Sequence, residues 1–353
     1  MITLTRRDLL LGFAGCLPFL AGGRPTTFAA YEAGKPGRRL GIVIHSYGLR
    51  GKDKASQFGD PLVFLEYCRT LGAAGVQTSL GARDDAYVEK IRGALRASGM
   101  YLEGIVRLPR AAADIDRFSD ELRTARDCGA KVVRTVLLDS RRYETFNSLD
   151  AFRAFSEECD SRLRLAKPIA ERHDVRLAVE NHKDWRADDL LKIIRRADSP
   201  QIGVCLDTGN SIALLEEPHE VVEALAPLTF TTHFKDMAVA EYPQGFLLSE
   251  VPLGTGFLDL ARIVKLLADQ RREIRLNLEM ITRDPLRVPC LSPGYWTTFA
   301  DLPARHLAAT LELVRRNAAK QALPQIADKG SAEQLAYEDA NVRQCLTWAR
   351  ERL

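Results

Sequence analysis

Hydrophobic positions along the chain alternate between short runs of strand length and longer stretches with helical spacing. Eight runs read as strands: Leu40–Ser46, Gly75–Leu80, Tyr101–Arg107, Val132–Leu138, Val175–Glu180, Ile202–Asp207, Thr229–His233 and Ile274–Met280. Each is rich in apolar and β-branched residues and is bounded by polar or turn-forming ones. Helical periodicity fills the stretches between them. Pro61 to Leu71 opens with proline in the first turn and repeats its apolar residues at helical intervals. Ala151 to Arg172 sets Phe152, Phe155, Cys159, Leu163, Ala166 and Ile169 on one stripe. Leu258 to Ala268 follows a glycine-containing turn, and Ala304 to Ala319 closes the last unit.

This alternation predicts the α/β class, as a closed barrel or a doubly wound open sheet. Three features favour closure. No glycine-rich phosphate loop follows the first strand, where open sheets of this class carry one. Eight strand–helix units complete one barrel with nothing left over. Polar groups lie at the ends of many strands rather than at one crossover. The expected architecture is a (β/α)8 TIM barrel over residues 36–320, followed by a C-terminal helical extension, 321–353. Ser331 and Gln334 have the spacing of a capping box. Leu335, Val342, Cys345, Leu346 and Ala349 then form one face, for the barrel flank or for a second copy in a homo-oligomer.

Four strands end on metal-binding side chains: Glu180, Asp207, His233 and Glu279. Strand side chains alternate, so Glu180 and His182 share a side, as do His233 with Lys235 and Asn277 with Glu279, while Leu278 and Met280 face the helices. A parallel barrel gathers such strand ends at one rim. Three carboxylates and an imidazole form a hard donor set for one divalent ion. Mn²⁺ is the ion expected, with Mg²⁺, Co²⁺ or Zn²⁺ as alternatives. Two adjacent oxygens of a sugar would fill its open positions, and its charge would stabilise an enediolate.

The ends and the composition narrow the setting. Arg6 and Arg7 precede an apolar run from Leu9 to Ala21 that is broken by Pro18 and too short to span a bilayer. Residues 1–30 therefore read as a twin-arginine signal peptide, with cleavage near Thr27–Ala30, the Tat translocase as partner and a periplasmic or otherwise exported destination. An ordinary secretory signal or an uncleaved anchor is the alternative reading. A net charge of +3 without a basic block excludes a nucleic-acid role, and no second apolar segment suggests a membrane span in the mature form. Cys68, Cys128, Cys159, Cys205, Cys290 and Cys345 are scattered without disulfide or CxxC spacing. Reduced thiols fit folding in the cytoplasm before export.

At the strand ends the chain resembles the xylose isomerase-like barrels of the sugar phosphate isomerase/epimerase superfamily. The resemblance is carried by Val179–His182, Cys205–Asn210, Thr232–Asp236, Pro252–Gly256 and Leu278–Glu279, and it extends from Arg39 to Ala319. In the ketose 3-epimerases of that superfamily two metal-bound glutamates move the protons, and their positions match Glu180 and Glu279. The resemblance therefore implies a metal-dependent isomerase or epimerase that abstracts a proton beside a carbonyl of a sugar or glycoside. A lyase or hydratase acting on 3-keto-glycosides would use the same metal and the same first step. A non-catalytic sugar-binding barrel is a further alternative.

Five residues are candidates for substrate contact. His182 contacts substrate or orients a ligand. Lys235 holds a substrate oxygen or forms a rim salt bridge with Asp236 or another acid. Asn210 stands where epimerase relatives carry a substrate-binding histidine, and Val239 where they carry an arginine. His45 contacts substrate or caps its strand. Trp296, with Tyr295 on the long Thr282–Phe299 loop, stacks on a sugar or packs that loop onto the barrel. Glu103 and Arg107 share a strand face as a rim pair or a structural ion pair. His173, His219 and His306 are assigned no chemistry.

Overall fold

The computed structural model describes residues 40–353; the signal segment, its cleavage site and the first residues of the expected barrel range lie outside the described residues. The strands, in chain order, are β1 (Leu40–Val43), β2 (Gly75–Thr78), β3 (Tyr101–Ile105), β4 (Val132–Thr135), β5 (Arg176–Glu180), β6 (Ile202–Asp207), β7 (Thr229–Phe234), β8 (Asp236–Tyr242), β9 (Gly245–Val251), β10 (Arg275–Leu278) and β11 (Leu286–Val288). Eight of them, all parallel, close in the order β1-β10-β7-β6-β5-β4-β3-β2. Helices surround this ring, so the chain forms the expected (β/α)8 barrel with a C-terminal helix.

Local chemistry sets the element ends. Asp60 accepts from the backbone of Leu62 and Val63 and starts the helix Pro61–Thr70. Ser148 caps the long helix Leu149–His173, whose buried stripe includes Phe152, Cys159, Leu163, Ala166 and Ile169. The first strand is shorter than expected. After Val43 the chain turns into a 3-10 helix, Ile44–Tyr47, and Ser46 replaces the ladder with its side chain. Its Oγ donates to the Leu278 carbonyl at 2.9 Å and accepts from Met280 N at 3.0 Å.

The units do not use up the whole chain. Between β7 and β10 an antiparallel hairpin, β8–β9, leaves the barrel, and β11 adds to it as a third strand. The Thr282–Phe299 segment is therefore no plain loop: it carries β11 and a 3-10 helix, Pro293–Thr298. The hairpin had a legible signal, two apolar runs around Pro243 and Gly245. The expected helix over 258–268 does form, as Leu260–Ala268, and the hairpin fills the stretch before it.

The barrel interior is layered. On β4, β5 and β6 the inward positions Val132, Ala178 and Cys205 form a small apolar cluster, with Arg134, Glu180 and Asp207 two residues further on. Tyr101 fills the space beside β2, and a Cβ on Gly75 would meet its ring at 2.3 Å. All six described cysteines are buried and unbridged. No helix among the described residues is long and apolar enough to cross a membrane.

The extension helix, Ser331–Arg352, packs Val342, Cys345, Leu346 and Ala349 inward and ties itself to rim segments of the barrel. Glu338 accepts from Leu49 N at 2.6 Å and Arg50 N at 3.0 Å, and Asn341 donates to Thr282 Oγ1 at 3.0 Å. The expected capping box does not form. Ser331 is already inside the helix after Gly330, and Gln334 Nε2 donates to the Ile326 and Lys329 carbonyls. Gly254 meets this helix with φ +80°, and a Cβ there would stand 2.3 Å from Trp348 Nε1. Gly254→Val is expected to lower stability by roughly 1–3 kcal/mol in urea unfolding. An unchanged midpoint would show that the turn accommodates a side chain.

Candidate metal centre

Glu180 ends β5, Asp207 ends β6, His233 lies in β7 and Glu279 follows β10 directly. Asp207 and His233 are partners in register, and Asn277 of β10 pairs with His233 on the other side. Parallel register and inward parity thus bring four distant residues to one point. Each is buried and offers a ligand atom within 4.8 Å of the others. His233 Nδ1 lies 3.3 Å from Glu180 Oε2 and 3.2 Å from Glu279 Oε1.

A chain of hydrogen bonds orients the imidazole. Glu103, an acceptor, receives the Gln77 amide nitrogen at 3.0 Å, Thr231 Oγ1 at 2.7 Å and Asn277 Nδ2 at 3.0 Å. This turns the Gln77 oxygen toward His233 Nε2, 2.7 Å away. In its neutral form the ring then keeps its proton on Nε2, and Nδ1 presents its lone pair to the cluster. Glu103 is pushed up by burial, and its three hydrogen bonds oppose that rise.

The carboxylates are held in the same way. Asp207 Oδ1 accepts from the backbone of Gly209 and Asn210, both at 2.8 Å, which leaves Oδ2 facing the cluster. Arg134 Nε donates to Glu180 Oε2 at 2.6 Å, and Asn210 Nδ2 donates to Glu180 Oε1 at 3.1 Å. His45 Nδ1 donates to Glu279 Oε1 at 3.0 Å, and Lys235 Nζ donates to Glu279 Oε2 at 2.6 Å. Two acceptors remain buried without a hydrogen bond: His233 Nδ1 and Asp207 Oδ2. Lys235 Nζ is 2.7 Å from Asp207 Oδ2, out of line for a hydrogen bond. Orphaned acceptors inside a ring of carboxylates fit a hard divalent cation.

Electrostatics follow from burial and pairing. Burial alone would push Glu180 up; Arg134, together with His233 in its protonated form, overrides it and holds the carboxyl well below its ordinary range. Glu279 is likewise held down against burial by protonated His233 and by Lys235. Burial pushes Asp207 up to about 6 against the opposing charge of Lys235. Burial and the Lys183 cation push His182 down to about 3, so it acts as a neutral hydrogen-bonding ring.

The other candidates separate into two groups. His45, His182 and Glu279 line a cavity of about 260 Å³ at the rim, together with Lys183 and Arg283. Lys235 joins the cluster itself; its acids are Asp207 and Glu279, with Glu250 further off at 3.9 Å, whereas Asp236 accepts the backbone of Gly254 and Gly256. Asn210 is buried, with its amide committed to Glu180 and Lys183. It is not among the residues that line the rim cavity. Trp296 is not brought to the cavity. Its Nε1 donates to the Cys290 carbonyl at 2.9 Å, and Tyr295 Oη donates to the Ala213 carbonyl at 2.8 Å. Both rings fasten the loop. Glu103 and Arg107 form no pair, because β3 ends at Ile105 while Glu103 turns into the barrel.

Several residues here escaped the sequence reading. Arg134 and Gln77 are single polar residues within apolar strands at inward parity, a signal that was available. Glu250 and Arg283, which pair at 2.5 Å above Lys235, come from the unanticipated sheet and the segment leading into it. Gln77→Leu is expected to weaken metal affinity by roughly 10–100-fold, since it releases the imidazole. Metal titration by calorimetry checks this, and an unchanged affinity would remove Gln77 from the design.

A family model described as "Xylose isomerase-like TIM barrel" matches residues 65–309. The chain belongs to that family. Within reach of this xylose isomerase-like barrel is a 3-oxo-isoapionate decarboxylase of Pectobacterium atrosepticum, 31% identical over 246 residues, covering 68% of this chain and 84% of that protein. Solved structures share the fold. A D-psicose 3-epimerase from Clostridium cellulolyticum H10, in complex with D-tagatose, aligns with TM-score 0.54 at 13% identity over 79% of this chain and 99% of the other. A probable 3-DHS dehydratase from Bacillus anthracis aligns with TM-score 0.51 at 14% identity over 78% and 98%. At these identities the structural matches speak to fold alone.

Proposed function

We propose that this xylose isomerase-like barrel is a divalent-metal-dependent enzyme acting on a small keto-sugar derivative that bears a carboxylate, and that it releases CO₂ through an enediolate. The observation that carries this reading is the charge balance at the rim. Glu180 is paired with Arg134, Asp207 and Glu279 with Lys235, and Glu250 with Arg283, while among the described residues the Lys183 ammonium has only Asn210 as its bonded partner. The four carboxylates are thus already matched by four cations. A divalent ion adds uncompensated positive charge, and an anionic substrate restores the balance. The cavity of about 260 Å³ suits a molecule smaller than drug-sized ligands, whose sites occupy ~300–1,000 Å³. The 31% identical relative named as a decarboxylase supports the same direction.

Glu180, Asp207, His233 and Glu279 would hold the ion, with Mn²⁺ first among Mn²⁺, Mg²⁺, Co²⁺ and Zn²⁺. Bound there, it would supply Lewis-acid stabilisation of enediolate charge. Lys183 and Arg283, on the cavity wall, hold the substrate carboxylate. The bond to that carboxylate breaks, its electron pair passes into the neighbouring carbonyl, and CO₂ leaves. A proton then returns to the carbon. Glu279 Oε1 is placed to pass it, and His45, two-fifths exposed at its side chain and bonded to that oxygen, links it to solvent.

Isomerisation or epimerisation is the second reading. It is favoured by Glu180 and Glu279 flanking His233 Nδ1 at similar distances, as two proton-transfer groups would. The test is turnover of 3-oxo sugar acids and free ketoses by metal-loaded protein in D₂O. CO₂ release with one deuteron in the product is expected. Deuterium exchange without CO₂ would transfer the assignment to an isomerase, and neither would sink both. We infer further that the twin-arginine segment exports the protein, a reading supported by six buried, unbridged thiols. Exchange of Arg6 and Arg7 for lysine should keep it in the cytoplasmic fraction, and unaltered export would count against the Tat route.

A further inference from the structure

The C-terminal helix, Ser331–Arg352, buries two polar side chains beside its apolar ones. Val342, Cys345, Leu346 and Ala349 already pack it on the barrel flank. Glu338 and Asn341 are nonetheless 1% and 4% exposed, one turn apart on the same face. Burying a carboxylate and an amide is costly unless each is hydrogen-bonded. Both find partners in the two segments that leave the rim from the neighbouring strands β1 and β10.

The first segment carries His45. It runs through Ile44–Tyr47 into the short helix Gly48–Lys52. Glu338 Oε1 accepts from Leu49 N at 2.6 Å and Oε2 from Arg50 N at 3.0 Å. Asp339, the next residue, accepts from Tyr47 Oη at 3.1 Å and from Tyr67 Oη. The second segment carries Arg283. Ile281 and Arg283 line the rim cavity, and Thr282 between them is buried, with Oγ1 accepting from Asn341 Nδ2 at 3.0 Å. Asp284 Oδ1 accepts from Ile326 N at 2.7 Å and Ala327 N at 3.2 Å, in the stretch that leads to the helix. Near the other end of the helix, Arg350 Nη2 donates to the Leu71 carbonyl at 2.7 Å. Apolar contacts are non-directional, whereas these bonds fix where each segment stands.

We propose that the C-terminal helix is a clamp on the rim cavity, in which Glu338 sets the segment bearing His45 and Asn341, through Thr282, sets Arg283. Both are positioning residues, since neither lines the cavity. Glu338, Asn341 and His45 also lie outside residues 65–309, so the family pattern does not carry these contacts. The inference rests on the proposed function for the tasks of the two clamped groups: His45 as the link from Glu279 to solvent, and Arg283 as a holder of the substrate carboxylate.

The kinetic constants separate the two arms. Glu338→Ala removes both acceptors and is expected to lower kcat on a 3-oxo sugar acid about tenfold at unchanged KM, because the proton link is misplaced. Glu338→Gln keeps one acceptor oxygen and should recover most of that loss. Thr282→Val keeps the shape, removes the acceptor of Asn341 and is expected to raise KM about tenfold at unchanged kcat. A merely structural role would lower stability and leave both constants alone. Hydrogen exchange of the same proteins needs no substrate and reports the clamp itself. Residues 44–52 should lose protection in Glu338→Ala and residues 279–284 in Thr282→Val, while residues 208–216, after β6, keep theirs. If the unaltered protein turns over neither 3-oxo sugar acids nor free ketoses, the proposed function falls and the exchange pattern alone decides the clamp. If it turns over ketoses only, the exchange pattern and the kcat of Glu338→Ala decide it. Should Glu338→Ala fail to fold, Thr282→Val and the smaller loss in Glu338→Gln take its place. Unchanged protection in the folded variants, or lost protection with both constants unchanged, would overturn the proposal.

Discussion

Glu279→Gln is expected to lower kcat by about 10³-fold while leaving the barrel folded. The substitution keeps the shape and the hydrogen bond from Lys235, whose Nζ lies 2.6 Å from Oε2. It removes one of three carboxylates from the cluster and abolishes proton transfer through Oε1, the oxygen bonded to His45. General acid–base catalysis contributes ~10²–10⁴-fold, and loss of an anionic ligand adds to that. The two contributions are separable. Activity is measured at saturating metal, and metal content of the same preparation by elemental analysis. A variant retaining activity within tenfold, with the ion bound, would remove Glu279 from the proton path.

Arg134→Met is expected to destabilise the protein by roughly 3–5 kcal/mol, the second large effect. Arg134 is 7% exposed and places Nε 2.6 Å from Glu180 Oε2, inside the barrel beneath the rim. Breaking a buried pair by removing one partner leaves the other charge without compensation, and that loss far exceeds the net value of the pair. Arg134 also holds Glu180 below the ordinary carboxylate range, so in the variant burial raises Glu180 with only His233 left to oppose it. The sign follows. For a carboxylate whose folded-state value is depressed, the stabilisation is present above its unfolded value and is lost as pH falls through the folded one. Removal of Arg134 should therefore cost most at neutral pH and least in acid. Divalent ion should recover part of the loss by taking over the compensation of Glu180. Urea unfolding with and without metal checks this, and an unchanged midpoint at neutral pH would show Glu180 to be compensated from elsewhere.

The cluster of candidate ligands was legible because its residues obey a local rule. Each closes an apolar run, and strand alternation assigns each an inward face. Glu180, Asp207, His233 and Glu279 needed only the barrel to converge, and the barrel followed from repeated strand–helix units. Asn210 lies where the strand-end motif implied, and its amide is bonded to Glu180 and Lys183, neighbours it meets only across strands. Trp296 was named for its chemistry alone. A carbonyl supplied by Cys290 of the same loop decides that its indole fastens the fold.

Hydrophobic period and strand-end chemistry therefore determined the (β/α)8 class, the rim position and the four candidate ligands. Both are properties of residues close in sequence, where backbone geometry fixes which side chains share a face. Tertiary structure alone decided which atoms of those ligands are free. Gln77 and Glu103 set the imidazole tautomer from two other strands, and Arg134 sets the charge of Glu180 from a third. It alone decided that Glu250 and Arg283 overhang the rim, through a sheet whose third strand arrives from a distant segment. Hydrogen-bond direction and charge compensation depend on which donors and acceptors become neighbours when water is excluded, and that is established only when the barrel closes.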